Sequence, residues 1–170
     1  MKRTALETHD LVGGASVSRA QLASALSILE TLESIAKDNV AVQASLIATR
    51  LELGSVLGDP AHPNLGDVAG ARRCYEEALK GAQDLLKTDP NNPQLLRNVS
   101  MVDRGLSNLA LTENDFDRAL SLALDAVDRA TALVAMAPAS KALRKELGLA
   151  HDASYVALAR LKRLPKRKST

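Results

Sequence analysis

Few residues of this 170-residue chain have the types and spacing that catalysis or metal binding needs. The three histidines, His9, His62 and His151, lie far apart, and none has a second His, Cys or carboxylate at a recognised ligand spacing. The single cysteine, Cys74, adjoins Tyr75 and has no histidine at a distance that is diagnostic of a nucleophile, which favours a packing role. We therefore predict a protein that is not an enzyme and that holds no metal or cofactor.

The pair Arg104 and Asn108 is the best candidate for binding chemistry. The two residues stand four positions apart in a stretch with helical periodicity, so both lie on one face of the predicted helix. A guanidinium and an amide there could hold a carboxylate or the backbone of a peptide. An ordinary solvated polar face accounts for the same two residues, and the sequence leaves both interpretations open.

A second candidate is a cluster of cations, which we call the basic tail: Arg160, Lys162, Arg163, Lys166, Arg167 and Lys168. Without these six of the 22 basic residues, the rest of the chain has 16 basic against 20 acidic residues. Such a cluster attracts nucleic acid, anionic lipid or an acidic protein. The basic tail contains no aromatic residue to stack on bases, so a disordered, solubilising end at 165–170 is the competing interpretation.

The composition indicates closely packed helices. Hydrophobic residues make up 46% of the chain and aromatic residues 2%, so the apolar content is mostly Ala and Leu. These residues favour helices, small side chains let helix axes approach each other, and no useful run alternates with the period of a strand. The predicted fold class is all-α.

The same composition bears on localisation. A single cysteine gives no argument for an oxidising compartment, and the first ten residues carry Glu7 and Asp10 where a signal peptide needs an apolar stretch. No uninterrupted apolar run approaches the roughly 20 residues that cross a bilayer. We therefore expect a cytoplasmic protein without a membrane span.

An internal repeat organises the predicted helices. Four residue pairs are each separated by 48 positions: Asp67 and Asp115, Ala71 and Ala119, Ala78 and Ala126, and Pro90 and Pro138. After each Asp, apolar residues recur in steps of three and four, the Asp can cap the helix, and the Pro ends it. An amphipathic stretch precedes each copy, so the unit is a helix, a turn and a helix.

The repeat divides the chain into a helical-repeat domain over 1–164 and a tail over 165–170. The domain comprises a half repeat (15–39), two full repeats (40–92 and 93–140) and a closing helix (141–164), and the first full repeat carries a loop over 58–66 between its helices. A half repeat leaves an apolar face uncovered. We expect either residues 1–14 or a second copy of the chain, in a homodimer, to cover that face.

The repeat resembles the tetratricopeptide signature, which it matches at Leu53, Gly54, Ala71, Tyr75, Ala78 and Pro90. The second full repeat keeps the Leu, Ala and Pro positions but has Ser107 for the glycine and Ala123 for the aromatic residue. The period of 48 exceeds the 34 of that family, and we attribute the excess mainly to longer second helices. The resemblance implies an α-α superhelix of antiparallel helix pairs with a concave, peptide-binding face lined by the first helices.

The resemblance also implies which side chains face the groove, when positions are counted from the matched residues Leu53 and Leu106. These positions are Ala48, Leu51, Ser55, Met101, Arg104 and Asn108. We expect a protein or peptide partner to bind there. Chaperone-binding members of the family use a clamp of Lys, Asn and Arg over several repeats. The first full repeat offers no matching cations, so we do not predict that clamp.

A narrower resemblance extends over roughly residues 20–160 and is carried by 53–60, 63–71 and the Tyr-Glu-Glu-Ala-Leu segment at 75–79. These segments, with Pro-Asn-Leu-Gly-Asp at 63–67, look like the carboxy-terminal repeat region of certain bacterial serine/threonine protein kinases. The resemblance implies a non-catalytic scaffold associated with such a kinase, because the glycine-rich loop, His-Arg-Asp and Asp-Phe-Gly motifs are absent from the sequence. The alternative hypothesis is a binder of nucleic acid or anionic membrane surfaces that acts through the basic tail.

Overall fold

The computed structural model describes residues 3–35 and 39–162, which form six helices. Their bounds are α1 Arg3–Ile35, α2 Val40–Gly58, α3 Val68–Leu86, α4 Pro93–Thr112, α5 Phe116–Met136 and α6 Lys141–Lys162. No strand occurs in these ranges, and the predicted all-α class is confirmed. The predicted closing helix corresponds to α6 over its described part.

The helices begin where the sequence supplies acceptors for free backbone N–H groups. Asp67 and Asp115 each accept from the N–H three residues further on, at 2.8 Å and 3.2 Å, at the start of α3 and α5. The two predicted caps are therefore confirmed. Asn39 and Asn92 play the same part at α2 and α4, each accepting from two backbone N–H groups.

The packing order of the helices produces two rows. Each helix contacts the next one along the chain, and α2 also contacts α4, as α4 contacts α6. Within the described ranges, the backbones of α1 and α3 do not approach each other closely, nor do those of α3 and α5, which are joined only by the side chains of Glu76 and Arg118. Helices α2, α4 and α6 therefore form a continuous row, onto which α1, α3 and α5 pack at wider spacing.

The core lies between the two rows. Its largest cluster combines aliphatic side chains of α2, α3 and α4 around Tyr75, whereas α5 contributes buried alanines. Small side chains allow α5 to lie close to α4, and two buried serines of α4 bond directly to its carbonyl groups. Ser100 Oγ donates to the oxygen of Ala126 at 3.0 Å, and Ser107 Oγ to that of Ala119 at 2.7 Å.

Helix α1 is longer than the half repeat predicted. It runs without interruption from Arg3 through Gly13 and Gly14, so residues 3–14 extend the helix instead of folding back over it. The predicted half repeat begins at residue 15, so the helical residues before it are not part of that prediction. Each glycine costs only about 1 kcal/mol relative to alanine, which the flanking helical residues can offset.

Both helices of each repeat are long, and both contribute to the long repeat period. The first helices, α2 and α4, have 19 and 20 residues, and the second helices, α3 and α5, have 19 and 21. Our attribution of the excess mainly to the second helices is wrong. The helical pattern of the first helices continues to Gly58 and Thr112, which lengthens them equally.

Helix α2 is long and apolar enough to cross a membrane by length and composition alone. In the structure it packs against α1, α3 and α4 and buries Leu46, Ile47 and Leu53. Its Arg50 pairs with carboxylates of α1 and α3. These contacts bury part of the apolar surface of α2 against the neighbouring helices.

Candidate functional site

A groove follows the row formed by α2, α4 and α6. Its first section, which we call the polar chamber, has a volume of about 520 Å³. The side chains that α2 and α4 place in it are Leu51, Glu52, Ser55, Arg97, Met101 and Arg104. Helix α6 adds Lys145, Glu146 and Leu149, so three helices that are distant in sequence share one cavity.

The groove continues into a second section, the apolar chamber, of about 460 Å³. It is lined by residues of the α2–α3 loop, α4, α5 and α6, among them Ala61, Leu111, Phe116, Val156 and Arg160. A smaller cavity of about 200 Å³ joins the two chambers. It shares Arg104 and Leu149 with the polar chamber and Asn108 and Val156 with the apolar chamber, so the three cavities are adjacent along one surface.

Five of the six predicted groove positions lie on this surface. Leu51, Ser55, Met101 and Arg104 line the polar chamber, and Asn108 lines the other two cavities. Ala48 is exposed and lines none of the three. The structure brings the five residues together, and binding of a partner to them stays a prediction.

Asp59, which sequence reasoning did not single out, fixes the wall between the chambers. This residue is only 3% exposed. Its carboxylate accepts from the Tyr75 hydroxyl at 3.1 Å, from Asn108 Nδ2 at 3.1 Å and from the N–H of Ala61 at 2.9 Å. One amide hydrogen of Asn108 is therefore committed within the protein, which narrows the role that we predicted for Asn108 in holding a partner.

The donor character of Tyr75 follows from its surroundings. Burial, together with the neighbouring Asp59 carboxylate, raises the pKa of Tyr75 far above its ordinary value. The hydroxyl therefore stays protonated and continues to donate to Asp59. The sequence gives only a weak signal for this contact, because Asp59 and Tyr75 lie in different elements and local spacing does not show that they meet.

The ring of Tyr75 is held between two glycines. A Cβ atom at Gly54 would lie 2.7 Å from Tyr75 Cε1, and one at Gly105 would lie 2.7 Å from Cε2. The glycine of the Leu-Gly pair therefore makes room for an aromatic ring between α2 and α4. We missed Gly105 because the repeat comparison aligned Ser107 with Gly54.

Charges in the polar chamber are only partly paired. Arg97 Nη2 lies 3.4 Å from Glu146 Oε2, which joins α4 to α6 across the groove. Arg104 and Lys145 have no ion pair among the residues that the structure describes, and Glu52 is likewise without one. Asp59 has no ion pair in this part of the chain either, since its three donors are neutral, so two unpaired cations face two unpaired carboxylates.

Among the remaining candidates for chemistry, His62 lines the polar chamber, whereas Cys74 and His151 line none of the groove's cavities. Cys74 is half-buried, and burial is the main cause that raises the pKa of its thiol, which disfavours the reactive thiolate. Over 3–35 and 39–162, no three His, Cys, Asp or Glu residues are placed to hold a metal ion.

The basic tail is only partly described. Arg160 and Lys162 lie exposed in the last turn of α6, and Arg160 also lines the apolar chamber. Four further cations of the basic tail lie outside the described residues: Arg163, Lys166, Arg167 and Lys168. At least one cation of the basic tail thus borders the groove.

No protein-family model, curated protein or solved structure matches this chain.

Proposed function

We propose that this chain is a non-catalytic protein-interaction scaffold whose groove binds a peptide segment of a partner. In this proposal the helix pairs form a tetratricopeptide-like superhelix, and α2, α4 and α6 line its concave face. The observation that supports the proposal best is the adjacency of three cavities along that one row of helices.

The dimensions of the groove favour a peptide as its ligand. Lys145 and Arg160 border its two ends on α6 and stand fifteen positions apart, or about 22 Å at 1.5 Å per helical residue. An extended peptide of about seven residues spans that length. Backbone groups of a helical wall are already hydrogen-bonded, so recognition would come from side chains, as it does in other helical repeats.

The sequence resemblance supplies a context for the partner. Residues 53–71 look like the repeat region of bacterial serine/threonine protein kinases, so the scaffold would serve as a regulatory or partner-binding segment beside such a kinase in the cytoplasm. The likeness rests on the loop and its flanking helices.

Site-specific photo-crosslinking tests the proposal. A photoreactive phenylalanine analogue replaces Met101 in the groove or, as a control, exposed Gln83 of α3, and cross-linked peptides from the source cells are identified by mass spectrometry. We expect a recurring partner segment at position 101 and not at 83. That segment, made as a synthetic peptide, should bind the wild-type chain and lose at least tenfold in affinity on Leu149→Asp.

The result that contradicts the proposal is equally specific. Leu149 is 37% exposed, so Leu149→Asp should preserve the fold, which circular dichroism can verify. Two results would exclude the groove as the binding surface. One is equal cross-linking at positions 83 and 101, and the other is a recovered peptide that binds the Leu149→Asp variant with the affinity of the wild-type chain.

A further inference from the structure

We infer that the chain assembles head to tail, with an uncovered side of α6 in one copy packed against the exposed apolar stripe of α1 in the next copy. The α1 stripe consists of Val17, Ile28, Leu32 and Ile35. In this contact a first helix that lacks a second helix meets a second helix that lacks a first. The inference goes beyond the proposed function, because it requires no ligand in the groove.

Helix α6 repeats α4 in register. Leu95 and Val99 of α4 recur 48 positions later as Leu143 and Leu147. Each buried residue of α6 also stands 48 positions after a buried residue of α4: Glu146, Ala150, Ala153 and Ala157. The two helices therefore bury the same side, and their remaining sides can be compared position by position.

The two helices differ on the side that α4 turns to α5. Ser100, Asp103 and Ser107 of α4 are buried there, and each bonds to a residue of α5. The positions 48 further on are all exposed in α6: Gly148, His151 and Tyr155. No helix in the described part of the chain covers this side of α6, which we call the open face.

The α1 stripe occupies the side on which a second helix meets its first helix. Helix α1 matches α3 with an offset of 53 positions, at which Leu32 precedes Leu85. In this register Ile28 stands where Gly81 stands in α3. A Cβ atom at Gly81 would lie 3.2 Å from Ile47 of α2, so this position faces the first helix of the repeat. Over 3–35 and 39–162, only α2 approaches the backbone of α1, and it leaves this side uncovered.

The open face and the α1 stripe have complementary side-chain volumes. In the α2–α3 pair, Ile47 of the first helix lies against Gly81 of the second. The proposed contact reverses the two sizes, because Gly148 of α6 stands 101 positions after Ile47, and Ile28 of α1 stands 53 before Gly81. A Cβ atom at Gly148 would meet nothing within 4 Å, so the Ile28 side chain of the next copy has space to enter. Its burial there removes apolar surface from water.

The charges on the two surfaces permit the same contact. Exposed cations, Arg144 and Lys162, stand near the two ends of the open face. The α1 stripe contains no charged residue, so these cations meet no like charge on it. Tyr155, which is 74% exposed, adds an aromatic ring to the open face. A second copy of this chain therefore fits the open face in both volume and charge.

The contact joins two different surfaces, which determines how far the assembly grows. Each added copy presents a new open face at one end and a new α1 stripe at the other. Such a heterologous contact produces a ring or an open chain of copies, and does not stop at a two-fold dimer. The row formed by α2, α4 and α6 would then continue into α2 of the next copy.

Disulfide cross-linking of the full chain tests the inference in a Cys74→Ala background. One sample carries Ile28→Cys and another carries Gly148→Cys, and they are oxidised separately and as a mixture. A disulfide needs Cα atoms within about 7 Å of each other, so only close packing gives a rapid reaction. We expect covalent pairs in the mixture and not in either sample alone. A chain that carries both substitutions should give a ladder of covalent oligomers.

Matched controls accompany the cross-linking. Ser121→Cys, at an exposed serine of α5, replaces Gly148→Cys in the control mixture and should form no pairs. Gly148→Glu places a charge on the open face without a clash inside the chain, and circular dichroism can verify its fold. This variant should sediment as a monomer at concentrations where the wild-type chain forms species larger than a dimer.

Two results would overturn the inference. Pairs that form in the Ile28→Cys sample alone would indicate a two-fold contact through α1. A mixture that reacts no faster than the Ser121→Cys control, with a wild-type chain that stays monomeric, would show that no head-to-tail contact forms. Neither result bears on the groove, because its test measures peptide binding to the Leu149→Asp variant.

Discussion

Tyr75 shows how one side chain can fix the spacing of three helices. Its ring, carried by α3, touches the positions of Gly54 on α2 and Gly105 on α4, and its hydroxyl donates to Asp59 at the end of α2. The same residue lines the polar chamber. The width of the groove at this point therefore depends on the absence of two Cβ atoms.

Replacing Gly105 by alanine should destabilise the protein. The new Cβ would lie 2.7 Å from the Tyr75 ring, so the ring or the helices must shift. Overpacking of this kind costs roughly 1–3 kcal/mol and outweighs the gain in helix propensity, about 1 kcal/mol at most. Urea unfolding followed by circular dichroism measures the change.

Gly148→Ala is the matched control for this variant. Gly148 is also helical, but a Cβ there meets nothing within 4 Å, so the free energy of unfolding should rise by about 1 kcal/mol. If Gly105→Ala stabilised the protein as Gly148→Ala does, the ring would not be held as described.

Asp103 of α4 is a buried carboxylate paired with Arg129 of α5. Burial raises its pKa to about 7, and although Arg129 acts in the opposite direction, it does not offset the loss of hydration. In the unfolded chain an aspartate titrates near 3.9. The folded protein therefore binds more protons than the unfolded chain over most of the interval from about pH 4 to about pH 7.

The free energy of unfolding should consequently fall as the pH rises through that interval. At about 1.4 kcal/mol per pKa unit, the change amounts to a few kcal/mol. Asp103→Asn should flatten this dependence, whereas Asp128→Asn on the exposed face of α5 should not. Urea unfolding at several pH values tests this, and an unchanged slope in Asp103→Asn would assign the dependence to other groups.

Side-chain hydrogen bonds hold the α2–α3 loop in place. Asp59 binds one donor from each of α3 and α4 and one from the loop itself. Asn64 Nδ2 donates to the backbone oxygens of Asp59 and His62, at 2.9 Å each. Leu65 and Asp67 then donate their N–H groups to the last turn of α2. The wall of both chambers depends on this network.

Asp59→Ala should loosen the loop and, with it, the groove. The Tyr75 hydroxyl and the Asn108 amide lose their acceptor in a buried place, which costs about 1–3 kcal/mol each unless water replaces it. Hydrogen exchange at the amides of Leu65 and Asp67 should accelerate. Asp89→Ala, which removes an exposed bond to Asn92 in the α3–α4 loop, is the control and should leave these two amides protected.

Local signals in the sequence were sufficient to predict most elements. The caps at Asp67 and Asp115 and the helices between them follow from the spacing of neighbouring residues, as does the face that carries Arg104. Gly105 and Asp59 escaped prediction because their partners stand on other helices, and their roles depend on distances that periodicity does not report. The start of α1 was missed because the half repeat was delimited by its match to the second helices of the other repeats, and that match does not extend before residue 15.

At the scale of the whole molecule, α1 lies at one end of the helix array. Helix α1 has a packing neighbour in α2 but none on its other side within the described residues. It exposes Val17, Ile28, Leu32 and Ile35, and three of these lie within about 20° of one another on the helical wheel. This stripe lies on the part of α1 that α2 leaves exposed, and its covering by a second copy stays a prediction.

If a second copy covers this stripe, the mass in solution should rise with concentration. Light scattering over a hundredfold concentration range measures this, and Ile28→Glu should restore the monomer. Leu124→Glu, at an exposed leucine of α5, is the control and should not. A wild-type chain that stays monomeric over the whole range would show that no homodimer forms through α1.

The basic tail provides the remaining test of how the molecule works. If the groove is the binding surface, a chain truncated after Leu164 should keep its affinity for a groove peptide. Neither the full chain nor the truncated chain, which keeps 19 basic against 20 acidic residues, should then bind duplex DNA or phosphatidylserine vesicles tightly at about 0.15 M salt. Tight binding by the full chain that disappears on truncation and weakens steeply with salt would favour the basic tail instead.

The two binding surfaces should differ in how their affinity depends on salt. Salt screens the exposed cations of the basic tail, so binding through them should weaken as the salt concentration rises. A peptide bound beside half-buried Arg104 should retain more of its affinity.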